Sequence, residues 1–380
     1  MDSKNTHRFY LSIFFFLSGV CFSTWTSRIP TIKANFNLND AELGTILLFM
    51  PISSLVGLPV SGWLVSHFDS RLPLVIGFSA MCLAMILVGF AQSPTALISS
   101  LCIFSFCMRI FNISVNTQAI TLQKQFERKI NGSFHGLWSS GGIVGVGFST
   151  LLVAQDVAMN VHLLTVAIVA LITTVFAFRK LLRNDRAPSG NKPLLSKPDP
   201  YIVYLGMLVF LAAICEGGMF DWSGLFFKDV VEVEIFTLGY LIFMIFMAMS
   251  RFASDRIVEA IGMPKTYIMS AIFICSGILL AVTFPLVWTS LLGFCMVGFG
   301  TASVIPMTYL LAGTSRKYSA GMAISIIATY GIVGMLIGPA LIGYVSHAVG
   351  LRTAFITFGL AGIMLIPISM MFFRHQRTLG

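Results

Sequence analysis

The stretch Gly142-Ile143-Val144-Gly145 occurs again as Gly331-Ile332-Val333-Gly334 in a chain of 380 residues. The two copies are 189 positions apart, which is about half of the chain length. Gly132 and Gly321 keep the same offset. A repeat with a period of half the chain predicts two related halves, each folded in the same way.

The composition predicts a membrane protein. Apolar residues make up 57% of the chain and charged residues 10%, and the mean hydropathy is +0.89, whereas soluble domains carry about 25% charged residues. Lipid-exposed backbone must bond within its own segment, so we expect an all-α protein. Twelve apolar stretches are long enough to cross a bilayer, at about 9–30, 41–66, 73–92, 95–122, 134–154, 158–180, 201–227, 237–261, 266–284, 286–312, 319–346 and 352–373.

The basic residues predict the orientation of these twelve spans. Nineteen of the 24 Lys and Arg residues, Arg251 among them, fall on one side, and only Arg28, Lys33, Lys228 and Arg352 on the other. Cytoplasmic loops are enriched in Lys and Arg, so both termini are expected in the cytoplasm. The net charge of +9 is then explained by topology and anionic lipid, and no nucleic-acid partner is expected.

One polar, proline-rich segment divides the chain. Residues 183–200 cannot span lipid and fall between the sixth and seventh spans, as a cytoplasmic linker does. We therefore predict a six-helix bundle over 1–182 and a second over 201–380. All seven cysteines lie in apolar spans without metal-ligand or disulfide spacing, so no cofactor or metal is expected.

The turn between the second and third spans carries a further motif. It reads Gly62-Trp-Leu-Val-Ser-His-Phe-Asp69-Ser-Arg71, and the second half has Arg251-Phe-Ala-Ser-Asp255 at the same offset. Both resemble the Gly-x-Leu-x-Asp-x-x-Gly-Arg-x-Arg hairpin of the major facilitator superfamily, although Ser66 stands where that family has an acid. The resemblance implies a gating role for Gly62, Asp69, Arg71, Arg251 and Asp255.

Shorter fragments resemble the fucose-permease-like group of that superfamily, and in it the YbjJ-type bacterial branch. They are Trp25-x-x-Arg28-x-Pro30, the Asn116 region, His135-Gly136, Glu216-Gly217, Asp221-Trp222 and Gly338-Pro339-x-Leu-x-Gly343-Tyr344. The resemblance implies two pseudo-symmetric bundles around a central cavity, in the cytoplasmic (inner) membrane of a bacterium. It also implies a monomer that transports a small molecule by alternating access.

A polar stripe in the fourth span is the candidate substrate site. Arg109, Asn112 and Asn116 follow at i, i+3 and i+7 and share one helix face. An ionisable group inside the membrane is costly and marks function by default. The arginine can bind a carboxylate, a phosphate or a sugar hydroxyl group. The alternative is a structural ion pair within the protein, with Glu216 as one candidate partner.

Acidic residues in the seventh span are the candidates for proton coupling. Desolvation favours the neutral form of a carboxyl group and a nearby cation favours the charged form. Glu216 can therefore alternate between a protonated and an arginine-paired state. The 189-residue offset pairs it with Ser27, beside Trp25 and Arg28. The alternative to proton coupling is a permanent salt bridge or a contact of the outer gate. For Asp221 and Arg28 we favour this alternative.

Aromatic and imidazole side chains complete the candidate site. His135 and Trp138 share a helical turn at the start of the fifth span. His135 is a candidate proton relay, with packing or gating near the interface as its alternative. Trp138 and Trp25 can stack on a sugar ring, although tryptophan is also enriched at membrane interfaces.

These features together predict a secondary active transporter. We expect proton-coupled uptake (symport) of a small polar solute, which is a sugar, a sugar derivative or an organic anion. The alternative is a proton-driven exporter or antiporter. Antiporters of the superfamily typically carry Gly-Pro in helix 5, whereas here Gly338-Pro339 belongs to helix 11. No cluster of catalytic groups is present in the sequence, so an enzyme is not expected.

Overall fold

The fold was analysed in a computed structural model, which describes residues 4–127, 130–183, 199–318 and 320–379. It does not describe the side chains of Asn131, Gly132, Asp255, Ala320, Gly321, Met322, Ser325 and Leu379. Most of the predicted linker 183–200 therefore lies outside the described residues. The described chain is helical, with α1 Lys4–Thr26, α2 Ile29–Asn35, α3 Asp40–His67, α4 Arg71–Gly89, α5 Pro94–Gln123, α6 Asn131–Ala154 and α7 Met159–Ala177.

The second half of the chain continues in the same way. Its helices are α8 Pro200–Asp229, α9 Leu238–Ile261, α10 Met263–Thr283, α11 Val287–Thr301, α12 Val304–Ala312, α13 Ala320–Val349, α14 Leu351–Ala354 and α15 Ile356–Leu379. Eleven stretches of the described chain are long and apolar enough to cross a membrane, and Leu238–Ser254 in α9 is a shorter apolar helix. Together they confirm the predicted all-α, twelve-helix fold, and most boundaries agree within a few residues.

The helices group into two compact units. The first unit is formed by Met1–Phe36 and Phe49–Leu194, and the second by Asn37–Leu48 and Leu195–Gly380. The start of α3 thus clusters with the second unit. Three contacts to α13 account for this: Gly44 packs against Gly343, Thr45 Oγ1 lies 2.9 Å from the Tyr344 hydroxyl, and Ser346 donates to Asp40.

In the first unit, glycines of α6 allow this helix to pack closely against α1. A Cβ atom added to Gly145 would lie 2.7 Å from the carbonyl oxygen of Val20. One added to Gly141 would collide with the carbonyl oxygen of Phe16. Real Cβ atoms do not approach backbone oxygen so closely, so these positions need glycine for the helices to pack.

The second unit repeats this contact between α8 and α13. A Cβ atom added to Gly334 would lie 2.5 Å from the carbonyl oxygen of Phe210, and one added to Gly331 would lie 3.0 Å from Val209. Val20 and Val209 are themselves 189 positions apart. The sequence repeat is therefore also a repeat of helix packing, in which the same glycine face meets the same neighbouring helix.

Two of the predicted spans are broken. The first span is interrupted at Ser27 and Arg28 between α1 and α2, where Pro30 cannot donate to the carbonyl oxygen of Thr26. The tenth span, predicted as one helix over 286–312, is interrupted at Ala302 and Ser303 between α11 and α12. A hydropathy pattern alone does not detect such breaks, because they depend on individual backbone hydrogen bonds and not on the average polarity of the span.

Candidate functional site

Arg109 lies near the middle of α5 and reaches across to α3. Its Nε atom donates to the Ser54 hydroxyl group over 2.7 Å. The approach is possible because Gly57 has no side chain: a Cβ atom there would lie 3.2 Å from Cβ of Arg109. The bond to Ser54 therefore holds the side chain of Arg109 against α3. It uses one of the five N–H donors of the guanidinium group.

Two further bonds hold α3 and α5 together next to this arginine. Ser105 Oγ donates to the carbonyl oxygen of Met50 over 2.6 Å, and Ser53 Oγ donates to that of Cys102 over 2.7 Å. Among the residues that the structure describes, no carboxylate lies within salt-bridge distance of Arg109. The charge of Arg109 thus has no acidic partner in the described chain, and an ionisable group in such a position is a candidate functional residue.

Asn112 and Asn116 lie on the same face of α5 as Arg109, and all three side chains are half-buried. Asn116 Nδ2 donates to the carbonyl oxygen of Asn112 over 2.8 Å. Its amide oxygen is left as an acceptor on this face. The predicted stripe is therefore a continuous polar surface on one helix, with donors from the arginine and an acceptor from Asn116.

Glu216 has an arginine partner within its own unit. Arg251 Nη2 on α9 lies 2.8 Å from Glu216 Oε1 on α8. The Glu216 side chain is 6% exposed and the Arg251 side chain 30%. From the sequence, Arg109 is a candidate partner of Glu216, and Arg251 is counted among the basic residues of the cytoplasmic side. Arg251 lies within helix α9, and its length allows it to reach Glu216 near the middle of α8.

Asp221 differs from Glu216, although both lie on α8. It is half-buried and has no hydrogen bond or ion pair with any residue in the described ranges. The next residue, Trp222, is fully buried, and its indole Nε1 has no hydrogen-bond partner among the described residues. This part of α8 therefore offers a carboxyl group that can change its protonation state without breaking an ion pair.

Arg28 is buried at the break in the first span, not placed at an open aqueous edge. It is 4% exposed, and its Nε atom donates to Nδ1 of His162 on α7 over 2.9 Å. Its Nη2 atom donates to the carbonyl oxygen of Val157 over 2.8 Å. Since an arginine only donates, Nδ1 must accept, and His162 is neutral with its proton on Nε2. That nitrogen lies 3.5 Å from the Ser149 hydroxyl group.

Sequence reasoning missed His162. It lies in an apolar span without a charged neighbour at helical spacing, and its partner Arg28 is 134 positions away. The available signal was its type, because a histidine inside a span is uncommon and calls for a partner. Together, Arg28, His162 and Ser149 connect the break after α1 to α7 and α6.

The remaining aromatic candidates occupy different environments in the first unit. Trp25 is 3% exposed and packs against Phe104, with ring centroids 6.4 Å apart. Trp138 is half-buried with its ring 6.0 Å from that of Phe22. His135 is exposed and meets the edge of Phe15 at 5.7 Å. Trp138 is thus the more accessible of the two tryptophans.

In the hairpin between α3 and α4, Arg71 contacts Phe178, which follows directly after α7. Arg71 donates from Nε to the carbonyl oxygen of Phe178 over 3.0 Å, and its guanidinium lies 3.9 Å from the centre of that ring. Asp69 is half-buried in the turn before α4. Gly62 is exposed, and a Cβ atom there would meet nothing within 4 Å. The side chain of Asp255 lies outside the described part of the chain.

The family model of the Major Facilitator Superfamily matches residues 11–317. An uncharacterized MFS-type transporter of Yersinia pestis is 30% identical over 357 residues, covering 93% of this chain and 92% of the relative. The membrane protein MosC of Rhizobium meliloti is 27% identical over 365 residues, covering 95% and 89%.

Solved structures agree on the fold. A mutant of the nucleoside transporter NupG matches with a TM-score of 0.78 at 14% identity, over 96% of this chain and 99% of that one. A bacterial homolog of the human lysosomal transporter Spinster, inward-facing and occupied, matches with a TM-score of 0.75 at 12% identity, over 96% of both chains. The twelve-helix fold, the family model and the full-length relatives agree, and the chain belongs to the major facilitator superfamily of membrane transporters.

Proposed function

We propose that the protein is a secondary active transporter that takes up a small polar solute together with protons. The solute is a sugar, a sugar derivative or an organic anion, and alternating access exposes one site to each side of the membrane in turn. Arg109 on α5 binds the polar or anionic group of the solute. The acids of α8 carry the proton.

The observation that carries this proposal is the environment of Arg109. A cation at membrane depth is costly, and neutral partners such as Ser54, 2.7 Å away, do not compensate its charge. A solute that brings a carboxylate or several hydroxyl groups supplies the missing partner, and Arg presents a planar fork that suits both. Asn112 and Asn116 extend the polar face for the rest of the solute.

Proton coupling is supported by the two acids of α8. Glu216 forms an ion pair with Arg251 over 2.8 Å, and in the proposed cycle it exchanges this partner for a proton. Asp221 has no such partner in the described chain and can bind a proton directly. Either acid links proton binding to the conformation of the second unit, and we infer that Glu216 is the residue whose pairing changes during the cycle.

A binding screen tests the solute site. The purified protein is heated with sugars, sugar acids and small organic anions, and the shift in unfolding temperature is recorded for wild type, Arg109→Ala and Arg109→Lys. We expect at least one solute to stabilise the wild type and to lose most of its effect in both variants, because lysine cannot reproduce the fork. An undiminished shift in Arg109→Ala would rule out Arg109 as the solute-binding residue.

An uptake measurement tests the coupling. Proteoliposomes are loaded with buffer, and accumulation of the stabilising solute is followed with and without an inward proton gradient. We expect accumulation only with the gradient, and loss of accumulation in Glu216→Gln with binding retained. Accumulation by Glu216→Gln equal to that of the wild type would exclude Glu216 as the coupling residue. Release of solute from the lumen, driven by the inward proton gradient, would instead establish the antiporter alternative.

A further inference from the structure

Three arginines of the first unit gather where α4 begins and α7 ends, outside the proposed solute and proton sites. Arg71 is the first residue of α4, and Arg179 and Arg183 follow the end of α7. Arg71 joins the two helix ends, because its Nε atom donates to the carbonyl oxygen of Phe178 over 3.0 Å and its Cζ atom lies 3.9 Å from the centre of that ring. We call these three residues the arginine cluster.

The arginine cluster carries a net positive charge. Arg183 repels Arg71 electrostatically, and Asp69 attracts Arg71 more weakly. Neither α4, nor α7, nor residues 178–183 contain an acidic residue. Asp69 can offset only one of the three guanidinium charges, and Arg179 and Arg183 are both exposed. An anion placed among the three arginines would reduce their mutual repulsion.

The second unit indicates that packing of the helix pair does not require these arginines. Its equivalent helices, α10 and α15, pack against each other as α4 and α7 do. At the offset of 189 positions, the three arginines correspond to Ala260, Ile368 and Phe372. None of these residues is charged, so the arginine cluster is a feature of the first unit that the repeat itself does not explain.

Next to the arginine cluster, both helices expose apolar side chains. In α4 these are Leu72 and Ile76, which are one helical turn apart, and Ile76 is 59% exposed. In α7 they are Ile172 and Phe176, again one turn apart, and Phe176 is 73% exposed. In a unit that spans a bilayer, such rows contact acyl chains. A ligand that approaches the arginines from the bilayer therefore meets apolar side chains beside them.

We propose that the arginine cluster binds the phosphate group of an anionic phospholipid, whose acyl chains lie along the exposed rows of α4 and α7. The planar fork of arginine suits phosphate oxygens, and basic residues next to transmembrane helices attract anionic lipids. The apolar rows favour a lipid over a free phosphate ion, because a soluble anion buries no apolar surface against them. The bound lipid connects the start of α4 to the end of α7. This role is separate from the proposed transport function and does not depend on it.

The test measures lipid binding to the full-length protein in detergent by native mass spectrometry. Phosphatidylglycerol and phosphatidylcholine with the same acyl chains are titrated separately. We expect the wild type to prefer phosphatidylglycerol by a factor on the order of 100, about fivefold for each arginine. Arg179→Gln and Arg183→Gln should each weaken phosphatidylglycerol binding about fivefold and leave phosphatidylcholine binding unchanged. Both residues are exposed, so these variants should fold, whereas Arg71→Gln also breaks the bond to Phe178.

A control variant and a soluble competitor complete the test. Lys265→Gln removes an exposed charge near the start of α10 and should leave both affinities unchanged. Added at the same concentration as the lipid, sn-glycerol 3-phosphate should not displace phosphatidylglycerol. Displacement would assign the arginine cluster to a soluble phosphate compound and overturn the lipid proposal. Equal affinities of the wild type for the two lipids, or an equal loss in Lys265→Gln, would overturn it too. Neither result would affect solute binding at Arg109, so the transport proposal is tested separately.

Discussion

Arg251 on α9 and Glu216 on α8 form an ion pair with 2.8 Å between Nη2 and Oε1. The acid is almost fully buried and the arginine is partly exposed, and both belong to the second unit. The charge of Glu216 is thus balanced by a residue of its own unit. In the transport cycle that we propose, proton binding to Glu216 accompanies a movement of α9 against α8.

Breaking this pair on one side should be far more harmful than removing both partners. Arg251→Met leaves Glu216 buried without its cation, and we expect a loss of about 3 kcal/mol, at the lower end for a buried pair because the arginine is 30% exposed. The double variant Glu216→Gln with Arg251→Met should recover most of this loss. Thermal unfolding in detergent measures both. A double variant as unstable as the sum of the two single variants would contradict the pairing.

The bond between Arg28 and His162 predicts that a neutral acceptor is required at position 162. His162→Leu removes the acceptor and leaves a buried donor unmet, for which we expect a loss of about 1–3 kcal/mol. His162→Asn keeps an oxygen acceptor near the place of Nδ1 and should retain most of the stability. Hydrogen exchange of residues 23–36 should rise in His162→Leu only. His135→Leu serves as the control, because His135 is exposed, and an equal rise there would contradict the assignment.

The glycine faces predict opposite effects for neighbouring positions of α6. Gly145→Ala places a Cβ atom against the Val20 oxygen at 2.7 Å and should destabilise the protein by about 1–3 kcal/mol. Gly147→Ala, where nothing lies within 4 Å, should be neutral or slightly stabilising, because alanine favours the helix. Gly334→Ala in the second unit should behave like Gly145→Ala. The unfolding temperatures of the three variants test this, and similar values for all of them would disprove the packing repeat.

The helices and the repeat could be predicted because they depend on local composition and period. Apolar runs bounded by charged residues mark the spans, and the two Gly-Ile-Val-Gly copies mark equivalent faces. Helical spacing alone also predicts that Arg109, Asn112 and Asn116 share one face of α5. These features need no knowledge of which helices are neighbours.

The missed features all depend on partners that are far apart in sequence. Arg28 meets His162 at a separation of 134 positions, and Arg251 meets Glu216 at a separation of 35. The break at Ala302 depends on Ser250 of another helix, 49 positions from Phe299. Pro306 was a visible signal for that break, since a proline inside a span removes a helical bond. We attribute the break to Pro306 together with the hydroxyl groups of Thr301 and Ser250, which bond the carbonyl oxygens before it.

The most direct test of proton-coupled uptake is the direction in which protons move when solute is added. Proteoliposomes with a pH-sensitive dye inside, and no initial gradient, receive the stabilising solute on the outside. We predict that the lumen acidifies with the wild type, because solute entering down its gradient brings protons with it, and that Arg109→Ala and Glu216→Gln give no signal. A lumen that becomes more alkaline, or solute entry without any change in pH, would contradict the account.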